Sequence, residues 1–174
     1  MVDNSWSMSK HWAHVRFVLK TLATKAKGLD PNGVDLYFTL GGVKAENKTG
    51  VRHLMDAMFN PKATPPTQND GLNTDMATRL KDLFDDHLTR VRQARMHGSE
   101  RATKLTIVVL TNGMWDEVQV GRRIVEFATT LKTLIKKDID DRPVSIEFIQ
   151  FGRDAGATER LKRLDDELKY KGIP

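Results

Sequence analysis

Leu105-Thr106-Ile107-Val108-Val109-Leu110-Thr111 is a nearly continuous apolar, β-branched run of strand length, and it constrains the fold more than any other segment. A strand with one wet face alternates apolar and polar residues. This one offers apolar side chains to both faces, the composition of a strand covered on both sides in a parallel sheet. It is the candidate central strand.

The flanking segments alternate between two periods. Trp12, Val15, Leu19, Leu22, Ala23 and Ala26 recur at helical spacing, and Gly28 with Pro31 closes that helix. Val34, Leu36, Phe38 and Leu40 then alternate with Asp35, Tyr37 and Thr39 before Gly41-Gly42, as a strand and its turn do. Lys44 to Thr49 reads as a short polar edge strand and Val51 to Phe59 as a short helix, followed by the loop Thr64 to Gly71. Met76, Leu80, Leu83, Phe84, Leu88 and Val91 mark a long helix with a charged outer side, and Arg95 to Arg101 reads as a polar connector. After the central strand come a helical stripe from Val120 to Ile135, a strand from Val144 to Phe151, and a last helix carrying Ala157, Leu161, Leu164 and Leu168.

Strands alternating with helices imply right-handed crossovers and an α/β fold: a doubly wound, mostly parallel sheet with helices on both faces. In such sheets ligands bind beyond the carboxyl ends of the strands. A length of 174 residues with 39% hydrophobic content suits one domain, 1–174. No apolar run is long enough to span a bilayer, the first residues lack the regions of a signal peptide, and there is no cysteine. A reducing compartment is expected, cytoplasmic with the nucleus as alternative, and no membrane partner. The net charge of +5 comes from 28 basic and 23 acidic residues interleaved along most of the chain, which favours a solvated surface over a dedicated polyanion site.

Chemistry concentrates at three loops. Asp3-Asn4-Ser5-Trp6-Ser7 places a carboxylate and two hydroxyls at alternate positions just before the first helix, a set of hard oxygen donors. The same residues are also those that cap helices and make turns. Gly71-Leu72-Asn73-Thr74 precedes another helix, and Thr111-Asn112-Gly113 follows the central strand directly. The loops share one edge of the sheet.

At these positions the chain resembles the von Willebrand factor A family. Asp3-Asn4-Ser5-Trp6-Ser7 is similar to its Asp-x-Ser-x-Ser motif, Thr74 to its loop threonine, and Thr111-Asn112-Gly113 to its Thr-Asp-Gly motif. Leu80 lies at the usual offset from Thr74, and Phe151-Gly152-Arg153-Asp154 with Leu161 and Leu164-Asp165-Asp166 resembles the family's last strand and helix. The likeness covers nearly the whole chain, and its texture is closest to the intracellular, cysteine-free members found in fungi.

The resemblance implies a metal-ion-dependent adhesion site: Mg²⁺ or Mn²⁺ held by Asp3, Ser5, Ser7, Thr74 and Asn112, with a protein partner's Asp or Glu completing the octahedron. Mg²⁺ takes six oxygen ligands at about 2.1 Å and keeps water positions that an incoming carboxylate can fill. The chain departs from the family at Asn112, where an aspartate is usual. An amide keeps a carbonyl oxygen but removes a negative charge, so weaker metal affinity is expected. Asp70, Asp75 and Asp116 are candidates to restore that charge from a second layer, or are simple caps. Trp6 and Trp115 are candidates for a partner-binding rim, or pack beneath the loops.

A binding module rather than an enzyme is expected. A phosphatase using Asp3 as nucleophile wants a second aspartate at the position of Ser5, and neither a phosphate loop nor a nucleophile elbow is present. A nucleic-acid-binding domain of the same fold, as in ribonucleoprotein or DNA-repair components, is the alternative. Against it, basic residues do not cluster in the site loops and aromatics are only 7% of the chain. His11 and His14 read as ordinary helix residues. The resemblance further implies that the chain lacks most of the first strand and all of the last, as a shortened domain of reduced stability.

Overall fold

Leu105–Thr111 is a strand over the whole of its apolar run, and its alternate residues serve two different cores. The computed structural model describes residues 1–27, 33–67, 74–97, 104–135 and 144–170. The strand, β3, pairs in unbroken parallel register with β4 (Val144–Gln150), from Leu105 opposite Val144 to Thr111 opposite Gln150. Ile107 and Val109 join a core made with α3 (Met76–Met96), α4 (Glu117–Ile135) and α5 (Ala155–Tyr170). Val108 and Leu110 join the other, made with α1 (Trp12–Ala26) and α2 (Val51–Met58). Successive side chains of a strand point to opposite faces, so helices cover both sides of β3.

A second pair, β1 (Val34–Tyr37) and β2 (Lys44–Lys48), is antiparallel, with Leu36 opposite Ala45 and an irregularity between Val34 and Leu36. The two pairs are joined by Met1–Asp3. Val2 N–H donates to Tyr37 O at 2.8 Å and Thr39 N–H to Val2 O at 3.1 Å. On the other side Leu110 N–H donates to Met1 O at 3.0 Å and Asp3 N–H to Leu110 O at 2.9 Å. Val2 is thus bridged in parallel to Phe38 and to Leu110. The architecture is mixed α/β, with five α-helices and a small parallel β3–β4 sheet among the described residues. It stops short of the complete doubly wound sheet that the alternation of segments implies, because the ladders form two separate pairs.

Other expectations are adjusted in detail. The strand expected to run to Leu40 ends at Tyr37, because beyond it the backbone turns toward Met1–Asp3 and Asn4. A 3-10 helix, Trp6–His11, precedes α1. Arg95 and Met96, read as connector, continue α3, whose C-cap His97 N–H donates to Gln93 O. Gly28, Pro31 and Asp70 to Asn73 lie outside the described residues.

The α3 stripe packs as its spacing implies: Met76, Leu80, Leu83, Phe84, Leu88 and Val91 are buried, each side chain contributing roughly 1.5–3 kcal/mol when fully enclosed. Phe84 and Phe127 of α4 stack at 4.1 Å between centroids and 4° between planes. Among the described residues no helix is long and apolar enough to cross a membrane.

Candidate metal site at the ends of the strands

Asp3 leaves the sheet where Met1–Asp3 passes between β1 and β3, and its side chain is fully buried, at 0% exposure. Its two oxygens are held from three directions. Oδ1 accepts from the Ser5 backbone N–H at 3.0 Å and, at the long distance of 3.4 Å, shares the single Thr39 hydroxyl proton with Asn4 Oδ1, which lies nearer to it at 3.1 Å. Oδ2 accepts from the Thr111 hydroxyl at 2.9 Å. The ends of both neighbouring strands therefore meet on one carboxylate. Among the described residues no Lys, Arg or His forms an ion pair with it. A buried carboxylate supported only by neutral donors has an incompletely compensated desolvation cost.

The chain then climbs toward solvent. Ser5 is buried and Ser7 half-buried, with their hydroxyl oxygens 3.0 Å apart, so the Asp-x-Ser-x-Ser segment presents a short oxygen-lined path outward from Asp3. Asn4 faces the other way and ties the loops together. Its Oδ1 accepts from Leu40 N–H at 2.8 Å and the Thr39 hydroxyl at 3.1 Å, while Nδ2 donates to Leu40 O at 3.3 Å and to Lys62 O at 3.5 Å. Gly41, with φ of 78°, is needed in that turn, because a Cβ there would collide with the Lys62 carbonyl.

Thr74 stands just before the N-cap of α3, and its Oγ1 is enclosed with no hydrogen-bond partner among the described residues. Buried hydroxyls are nearly always bonded, so this oxygen is open to a water or an ion. It forms no hydrogen bond to the Asp3 group. Asn112 is buried, and its Oδ1 accepts from Met114 N–H at 3.2 Å, which commits that oxygen to the local turn. The residue of this loop that reaches Asp3 is Thr111, whose hydroxyl also accepts from Gly113 N–H at 3.0 Å. Gly113 has φ of 82°, and a Cβ on it would lie 2.7 Å from the Ala157 Cβ of α5. The Arg160 guanidinium adds a bond to Gly113 O.

The candidate second-layer aspartates are caps. Asp75 accepts from Thr78 N–H at 3.4 Å at the start of α3, and Asp116 from Gln119 N–H at 3.0 Å at the start of α4. Asp70 lies outside the described residues. The two tryptophans separate: Trp6 is 40% exposed, whereas Trp115 is 8% exposed and stacks on Phe148 at 5.4 Å, which takes it out of the rim. Their neighbours reverse this, Met8 being buried and Met114 half exposed. Side-chain direction in a loop follows its turn geometry, which residue spacing does not specify.

Among the described residues no three His, Cys, Asp or Glu side chains cluster, so a cation here would have one protein carboxylate and a set of hydroxyl, amide and water oxygens. That donor set suits Mg²⁺ or Mn²⁺ and is too hard for Zn²⁺ or Cu²⁺. Thr39 joins the candidate site from outside the motifs, and Thr111 and Asn4, which lie within them, hold Asp3 and its loop in place. Comparison with protein-family models, curated proteins and solved structures finds no match for this chain.

Proposed function

We propose that the chain is a metal-dependent protein-binding module, a doubly wound domain of the von Willebrand factor A type whose divalent cation engages a carboxylate of its partner. The observation that carries this reading is the buried Asp3 carboxylate, fixed by hydroxyls from both adjacent strand ends and free of any cationic side chain among the described residues. The Thr74 hydroxyl, unbonded among the described residues, and the paired Ser5 and Ser7 hydroxyls supply further oxygens of the right hardness. Asp3 would anchor the ion, with Ser5, Ser7 and Thr74 as hydroxyl ligands. Bound Mg²⁺ supplies positive charge and exchangeable water positions. The residues themselves keep Asp3 oriented and leave Ser7 open to the side from which a partner approaches.

Asn112 enters differently from the others. With its Oδ1 engaged by Met114 N–H it contributes a turn rather than a charge, so metal affinity is expected to be low and partner affinity for the under-neutralised ion high. Calorimetric titration with Mg²⁺ and Mn²⁺ tests this. Asp3→Ala should abolish the signal, Thr74→Val should weaken it about tenfold with an unchanged melting temperature, and Asn112→Asp should tighten it about tenfold. Identical isotherms for the wild type and all three variants would remove the assignment. Partner capture with and without chelator then checks whether recognition needs the ion.

A further inference from the structure

Away from Asp3, positive charge is divided unevenly between the helices. On α3, α4 and α5 twelve basic residues are interleaved with nine acidic ones and several pair: Arg79 with Asp82 at 3.0 Å, Arg123 with Glu126 at 2.9 Å, and Arg163 with Glu117 at 2.8 Å. Along the 3-10 turn and α1, Lys10, Arg16, Lys20 and Lys25 have no ion pair among the described residues, and no acidic residue occurs in sequence between Asp3 and Asp30. His11 feels the accumulation: burial, then the charges of Lys10 and His14, hold its pKa below the usual histidine value.

Two aromatic rings stand in the same region. Phe17 is 66% exposed, on the side of α1 opposite the buried Val15, Leu19 and Ala23. Phe59, just after α2, is 59% exposed, and the Arg16 guanidinium lies 4.0 Å from its ring centroid. The Arg16 Nε is enclosed with no acceptor among the described residues, and its guanidinium lies against the Phe59 ring. Exposed phenylalanines cost solubility, and a row of unpaired cations costs mutual repulsion; a polyanion with stackable faces relieves both.

We propose that the outer face of α1, with Phe59 beside it, binds single-stranded nucleic acid, Lys20 and Lys25 neutralising phosphates while Phe17 and Phe59 stack on bases. Base stacking on an isolated ring is worth about 1–3 kcal/mol and needs only a ring with cations around it. A 15-residue helix is about 22 Å long, which accommodates several phosphates of an extended strand. An anionic membrane fits less well. Interfacial helices insert a continuous apolar face, and that face of α1 is already spent on the core, leaving two separate rings with Thr21 and Thr24 around Phe17.

The test is fluorescence anisotropy of a labelled oligouridylate and a labelled oligothymidylate across a salt series, in chelator so that the Asp3 site plays no part. Binding at low salt is expected, with Phe17→Ala about tenfold weaker. Lys20→Gln/Lys25→Gln should flatten the dependence of log affinity on log salt by about 1.4, two charges at about 0.7 each. Lys132→Gln/Lys162→Gln, which lowers the charge equally on α4 and α5, should leave affinity within about twofold, and equal melting curves establish that all variants fold. The proposal is overturned by no binding at low salt, by equal losses in the two double variants, or by binding confined to phosphatidylserine vesicles.

Discussion

The helices on the two sides of β3 draw on the same residue types and use them oppositely. On the side of α3, α4 and α5, charges of both signs alternate on the outer surface and large rings are inside, as with Phe84 stacked on Phe127. On the other side, Arg52 and Asp56 pair on α2, but the cations of α1 have no ion pair among the described residues, and Phe17 and Phe59 are outside. A net charge of +5 therefore describes neither side. On α3, α4 and α5 twelve basic residues are interleaved with nine acidic ones, whereas the 3-10 turn and α1 carry four basic residues and no acidic one, so a chain-wide average conceals a local field.

The sharpest test of this contrast is a matched pair of phenylalanine truncations. Phe127→Ala removes a 4% exposed ring from the α3–α4 stack and should cost about 3–5 kcal/mol in chemical denaturation, whereas Phe17→Ala should change stability by less than about 0.5 kcal/mol. Comparable losses would mean that Phe17 is structural and would undo the division. Next in size is a pH effect confined to the α3–α4 side. His87 is buried against Phe127 at 6.0 Å with Nε2 unbonded, and burial, then the charge of Arg90, lowers its pKa from 6.5 to about 4. Above pH 6.5 the ring is neutral folded or unfolded and contributes no pH dependence. Between 6.5 and 4 only the unfolded chain takes up the proton, so stability should fall by up to about 3 kcal/mol and then level off. Denaturation midpoints across that window should show the slope, and His87→Leu should reduce it, leaving the part between pH 6.5 and 5 that the buried Met1 amino group, its pKa lowered to about 5, also contributes. The smallest effect is on the paired surface: Lys81→Ala, which breaks the exposed contact with Asp85, should shift stability by less than about 1 kcal/mol.

Most elements were legible because their signals are local. The apolar run became β3 over its whole length, and the α3 stripe was buried residue for residue, since a face that repeats every three or four positions has one way to be covered. His87 sits on the same stripe, three residues after Phe84 and four before Val91, although histidine is not an apolar residue. The acid-free stretch after Asp3 was visible and was lost in the overall charge count. What could not be read were pairings across long separations. Asn4 meets Thr39 and Leu40, and Asp3 meets Thr111, 108 residues away, through turns whose shape no periodicity encodes. The opposite fates of Trp6 and Trp115 have the same origin.

The joint made by Met1–Asp3 has a kinetic consequence. No ladder connects β1 directly to β3, so the strand pairs come into register only when this short segment is clasped by Tyr37 and Thr39 on one side and Leu110 on the other. Closing contacts so distant along the chain carries an entropic penalty that local hairpins and helix pairs avoid, which delays them relative to the rest of folding. The oxygens around Asp3 are assembled by that same closure. An intact oxygen cluster around Asp3 thus reports that both halves have already formed, and a half-finished molecule would not contain it.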